Sequence, residues 1–85
     1  MYLYLGGDAV AETGDIVGLF DLDNTSWSHI TRGFLTAAER AGTLSNAAED
    51  IPRSFVLRAD GAVILTQPNT ATLARRLHDQ EKPNV

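Results

Sequence analysis

The chain has no cysteine among its 85 residues, which removes disulfides, thiolate metal sites and thiol nucleophiles together and leaves a small domain without covalent staples. Its single lysine is Lys82, so a basic surface has to be built from the six arginines. No uninterrupted apolar run approaches the ~20 residues that cross a bilayer, so no membrane partner is expected. Met1 to Leu5 lacks a basic leader and its apolar stretch stops at Gly6, short of a signal-peptide core. A cytoplasmic location is the expectation.

What is present describes one ordinary globular unit. Eighty-five residues support a single core, and 44% hydrophobic with 21% charged side chains fits neither a disordered tail nor a fibrous repeat. Self-association is the remaining way for so short a chain to bury more surface. The net charge of -4 opposes indiscriminate binding to polyanions. The charge is unevenly distributed, however. Residues 1–50 hold Asp8, Glu12, Asp15, Asp21, Asp23, Glu39, Glu49 and Asp50 against Arg32 and Arg40, a balance of -6. Residues 51–85 hold Arg53, Arg58, Arg75, Arg76 and Lys82 against Asp60, Asp79 and Glu81, a balance of +2. A fold that gathers the later arginines on one face would have a local basic surface.

Patterning along the chain predicts an α+β fold, a small mostly antiparallel sheet with two helices in one compact domain over residues 1–78, followed by a frayed tail over 79–85. Tyr2 to Leu5 alternates up to the Gly6-Gly7-Asp8 turn signal, with Ala9 to Ala11 as a returning partner. Ile16 to Leu22 is apolar on both faces (Ile16, Phe20 and Leu22 against Val17 and Leu19), which predicts a central strand. Asp23 to Ser26 supplies capping side chains for a helix over Trp27 to Ala41. Its buried stripe is read as Trp27, Ile30, Phe34, Ala37, Ala38 and Ala41, with Gly42 as the stop. Thr43 to Asp50 is either a short strand or an exposed connection. Ser54 to Arg58 and Ala62 to Thr66 flank Ala59-Asp60-Gly61, a hairpin signature. Symmetric pairing puts Phe55 opposite Leu65. Phe55, Leu57, Val63 and Leu65 then share a core face, and Val56 and Ile64 share the other with Ser54, Arg58 and Thr66, a partly apolar interface candidate. Asn69 or Thr70 caps a last helix whose buried stripe is Leu73, Ala74 and Leu77, with Arg75 and Arg76 pointing elsewhere.

Chemistry-bearing motifs are few. Leu19-Phe20-Asp21-Leu22-Asp23-Asn24-Thr25 resembles the first motif of the haloacid dehalogenase phosphatases, in which paired aspartates and Mg2+ handle phosphoryl transfer. That chemistry also needs a lysine and further acids on a doubly wound sheet, and the residues after Thr25 are too few to build one. A strand end followed by a capping turn accounts for the segment. His29 and His78 have no paired-ligand spacing, and Ser26 and Ser28 beside His29 read as caps. No catalytic residue, metal, cofactor or small-molecule substrate is expected. The arginines remain, because a planar guanidinium suits phosphate oxygens.

Four segments in order resemble a known family: Met1-Tyr2-Leu3-Tyr4-Leu5-Gly6-Gly7-Asp8, Asp15-Ile16-Val17-Gly18-Leu19-Phe20-Asp21-Leu22, Pro52-Arg53-Ser54-Phe55-Val56-Leu57 and Thr70-Ala71-Thr72-Leu73-Ala74-Arg75-Arg76. They are similar to the RemA/RemB family of extracellular matrix regulatory proteins, small cytoplasmic bacterial proteins tied to biofilm matrix genes. The resemblance implies a ring-shaped homo-oligomer whose partners are further copies of itself and double-stranded DNA, acting as a transcriptional regulator without enzyme activity. Arg53 occupies the family's basic position just before the hairpin strand, with Arg58, Arg75 and Arg76 as further candidates for phosphate contacts. Family members with more arginines before that position differ from this chain, which has Asp50-Ile51-Pro52 there. A closed ring would still present one arginine site many times to one duplex. The alternative is an oligomeric scaffold or protein-interaction module that binds no DNA.

Overall fold

The computed structural model describes residues 1–7, 9–22 and 28–81, including all backbone elements discussed below. The capping cluster assigned to Asp23–Ser26, together with Asp8, Trp27 and residues 82–85, lies outside them. Alternation shapes the first two strands. Tyr2–Gly6 (β1) and Ala9–Glu12 (β2) pair antiparallel, burying Leu3, Leu5 and Ala11 while Tyr2, Tyr4 and Val10 stay on the outer face. Gly6, at φ +128°, sits where a Cβ would come 3.3 Å from the Ala47 carbonyl oxygen. Only glycine fits both that backbone and that approach, and the turn is thereby docked against the main sheet.

That sheet contains Ile16–Asp21 (β3), Leu44–Asn46 (β4), Ser54–Arg58 (β5) and Val63–Thr66 (β6) in the order β3-β5-β6-β4. All neighbours are antiparallel except β4 and β6. The short-strand reading of residues 43–50 is the one realised. The hairpin forms as spaced: Phe55 faces Leu65 and Leu57 faces Val63, with Asp60 Oδ1 accepting the Ala62 amide in the loop. Two helices complete an α+β domain, Ser28–Ala41 (α1) and Thr70–Glu81 (α2). At the end of α1 the Gly42 amide donates to the Glu39 carbonyl and the Thr43 amide to Ala38, the paired bonds of a Schellman stop. Asn69 caps α2, its Oδ1 accepting the Thr72 amide at 2.8 Å. Asp79 to Glu81, assigned to the tail by composition, continue the helix. Among the described residues no helix is long and apolar enough to cross a membrane.

The sheet separates two clusters. On the Val56–Ile64 face, Leu3, Leu5, Ala11 and Leu73 pack into the larger one beneath the β1–β2 hairpin and α2, with Leu77 alongside. Ser54 and Thr66 on the same face have no exposed surface. The interface expected on this face is therefore absent: it is the deepest part of the protein, because β1–β2 folds over it. On the Phe55–Val63 face α1 supplies Ala38 and, half-buried, Leu35.

Three assignments from periodicity are corrected. β3 is an edge strand, paired only with β5, and its apolar character on both faces comes from having a layer on each side. A bulge places Ile16 opposite Arg58 and Gly18 opposite Leu57, so Val17 is extruded and Ile16 joins Leu19 on the larger cluster. Bulges of this kind protect an open edge by twisting it. On α1 the side facing the sheet is rotated toward Leu35 and Ala38, leaving Ile30 64% and Phe34 41% exposed and Ala37 and Ala41 in solvent. On α2 Leu73 is fully buried and Leu77 half-buried, while Ala74 is exposed.

Candidate functional site

Arg53 is held by its backbone before its side chain is considered. Its amide donates to the Thr66 carbonyl, and its carbonyl accepts the Leu22 amide, both at 2.9 Å. The residue thus bridges the ends of β3 and β6 with its guanidinium in solvent. Directly after it, the buried Ser54 hydroxyl lies 2.6 Å from Thr66 Oγ1 and donates to the Pro68 carbonyl. These bonds tie the start of β5 to the segment that introduces α2.

The result is an open cleft of about 530 Å³ between the β1–β2 turn, the loop after β4 and the start of α2. Arg53 and Arg76 both line it, with Tyr4, Glu49, Gln67 and Asn69. Arg76 does not point away from the fold. Its Nη1 donates to the Tyr4 carbonyl at 3.1 Å, and its guanidinium carbon lies 5.5 Å from the centroid of the Tyr4 ring. The contact is a cation–π pair that orients the fork. The N-terminal end of α2 adds partial positive charge to the same wall, while Glu49 subtracts from it.

Among the described residues the ion pairs are Met1 amino to Glu12 and Arg58 to Asp60, at 3.1 and 3.0 Å. Arg53, Arg75 and Arg76 therefore carry no carboxylate partner there. Arg58 belongs to a different place. It sits five residues along β5 from Arg53, ~16 Å at strand rise, neutralised by Asp60 at the hairpin loop. Arg75 is exposed on α2 but outside the cleft lining. Of the four arginines singled out by type, the fold brings two together. Glu49, Gln67 and Asn69 were invisible as cleft residues, and so was Tyr4 as the partner of Arg76, 72 positions away. No local spacing signals such a contact.

Asp21 ends β3 opposite Ser54, and the rest of the Asp23-Asn24-Thr25 motif lies outside the described residues. His29 and His78 are both exposed. Among the described residues no group of three histidines or acids is gathered as a metal site would require. Compared with known proteins, the chain matches no family model and no curated protein.

Proposed function

We propose that this chain is a cytoplasmic, ring-forming DNA-binding regulator of extracellular matrix (biofilm) genes, as its resemblance to the RemA/RemB family implies, and that it contacts DNA through arginine and phosphate. The observation that carries the DNA contact is the position of Arg53: backbone-fixed, solvent-facing, without a carboxylate partner among the described residues, and beside Arg76 in one open cleft. Guanidinium groups so placed suit the two free oxygens of a phosphate. Glu49 in the same lining and the net charge of -4 keep a single site weak. Repetition around a ring then supplies the affinity. Arg75 extends the positive rim, while Arg58, already paired with Asp60, contributes least. Neither helix presents a run of base-reading side chains, so sequence preference would come from DNA shape.

Fluorescence anisotropy of a labelled AT-rich duplex tests this reading. The wild-type chain is expected to bind at low salt and to weaken steeply as salt is raised. Arg53→Ala should lose at least about tenfold in affinity and flatten the log–log salt slope by about 1 for each subunit engaged. Arg58→Ala should change little. Absence of binding at ~50 mM salt, or equal binding by wild type and Arg53→Ala, overturns the DNA contact and favours the scaffold reading.

A further inference from the structure

The Leu22 amide points at β5, where it donates to the Arg53 carbonyl. Backbone groups alternate in direction along an antiparallel strand. In the register Gly18↔Leu57, Leu19↔Val56 and Phe20↔Phe55, those of Gly18 and Phe20 therefore face β5 as well, and those of Leu19 and Asp21 face away from the sheet. β3 ends the sheet on that side, so the outward amide and carbonyl of Leu19 have no strand to pair with. The bulge at Val17 protects only the beginning of this edge. From Gly18 to Asp21 the strand is regular.

Beside that regular stretch lies an apolar groove of about 540 Å³ between α1 and β3. Phe20, Phe34 and Phe55 form its floor as a stack, with ring centroids 4.9 Å apart for Phe20–Phe55 and 5.8 Å for Phe34–Phe55. Ile30 overhangs it, 64% exposed. Leu19 lines the groove too, although its side chain packs in the cluster on the opposite face, so the wall it provides is backbone. Groove and open edge are one surface. Asp21 is the single ionisable residue of the lining, and alternation puts its side chain on the Leu19 side of the strand.

We infer that this surface binds an extended segment of a different protein, which pairs antiparallel with Gly18–Asp21 and alternates apolar with basic residues. Main-chain bonds to a sheet edge supply affinity in this mode, and alternate side chains supply specificity. Apolar side chains of the added strand lie on the Phe20 side and enter the groove. The residues between them lie on the Asp21 side, where a basic residue forms an opposite-charge pair across the strands. A second copy of this chain does not fit that description. Its other strands with an open edge, Tyr2–Gly6, Ala9–Glu12 and Leu44–Asn46, contain no basic residue.

The probe is the end-capped, fluorescein-labelled peptide Leu-Arg-Val-Arg-Leu, titrated with the full chain and read by fluorescence anisotropy without DNA. The wild type is expected to bind it and to bind Leu-Glu-Val-Glu-Leu about fivefold more weakly. Asp21→Arg should reverse that preference. Ile30→Ser, at a position exposed enough for the fold to tolerate it, should weaken binding of the basic peptide about fivefold. N-methylation of both arginine amides, which face β3 in antiparallel pairing, should reduce affinity at least about tenfold. N-methylation of the valine amide, which points to solvent, should change it little. A wild type that ignores the peptide, equal binding of the arginine-methylated peptide, or a charge preference unmoved by Asp21→Arg overturns the inference. So does a peptide that binds only once the protein is diluted to its 9.2 kDa monomer, because a second copy is then the occupant. Should Asp21→Arg melt below the working temperature, the methylated peptides decide, since they leave the protein unchanged. The groove shares no lining residue with the Arg53 cleft. Arg53→Ala should therefore bind the peptide as the wild type does, and a chain that binds no DNA would defeat the proposed regulator while leaving the peptide site intact.

Discussion

Leu73→Ala is expected to destabilise the folded chain by about 3 kcal/mol, in the range of leucine truncations at fully enclosed sites. Leu73 has no exposed surface and sits in the cluster of Leu3, Leu5, Ala11, Val56 and Ile64. Its removal costs the transfer energy of the lost methyl groups and leaves a cavity between α2 and the sheet. The neighbours on the other sides belong to β1, β5 and β6, each fixed by strand pairing, so collapse into the void is limited. A chain of this length has ~4–13 kcal/mol of total stability, which makes the loss a large fraction of it. The melting temperature should fall by roughly 12–24 °C. Ile30→Ala, at a position that periodicity alone assigns to the core, should change the stability of the monomer by no more than about 0.5 kcal/mol. Urea titrations of the two variants check the contrast, and comparable losses would show that the deeper core is on the α1 side.

Ser54→Ala is the second large expectation, at about 2 kcal/mol. The Ser54 hydroxyl donates its one proton to the Pro68 carbonyl, so in the 2.6 Å contact with Thr66 the threonine is the donor. The chain of bonds thus runs from Thr66 to Ser54 to Pro68, with both side chains fully buried. Removing Ser54 breaks both links and leaves the Pro68 carbonyl, at the entrance to α2, only the longer approach of Thr66 Oγ1 at 3.5 Å. Thr66→Val removes the first link and the longer approaches of Thr66 Oγ1 to the Ser54 and Pro68 carbonyls at 3.3 and 3.5 Å, keeps the volume and leaves the short Ser54–Pro68 bond, so it should cost about half as much. Denaturant unfolding with unchanged slope measures both, and equal costs would refute this proton order. The network has a functional consequence too. Ser54 and Thr66 flank the Arg53 backbone bond, so the Ser54→Ala cleft should bind DNA more weakly than its folded fraction explains.

Much of the local structure was legible in residue types. Asn69 caps α2, Gly42 ends α1, and Asp60-Gly61 turns the β5–β6 hairpin in the register that symmetric pairing implies. Each of these depends on backbone conformations and hydrogen bonds within a few positions, and that information travels with the sequence. The site was legible only in part. Arg53 stands out beside Pro52 at the hairpin entrance, and Arg76 stands out as a basic residue on the last helix. Their convergence does not, because it depends on how α2 lies across β1. Arg58 looked equivalent to Arg53 by type and strand, yet Asp60 two residues on neutralises it.

The sequence by itself determined the order of the main elements, the hairpin register, the Gly42 stop of α1 and the start of α2, since propensity, alternation and capping act over one to five residues; the strand at Leu44–Asn46 and the extension of α2 to Glu81 were not fixed by it. Only the tertiary structure decided which surfaces those elements cover. Apolar alternation in β3 is satisfied equally by a central strand and by an edge strand with a layer on each face. The extruded Val17 then reassigns Ile16 to the opposite side. The stripe on α1 is wide enough that either of two rotations buries apolar atoms, and docking on Leu35 and Ala38 left Ile30 and Phe34 outside. Val56 became fully buried and Ile64 nearly so because β1–β2, about fifty positions away, folds over them. Burial is a property of what arrives from elsewhere in the chain, and hydrophobicity is non-directional, so no local pattern records where it arrives.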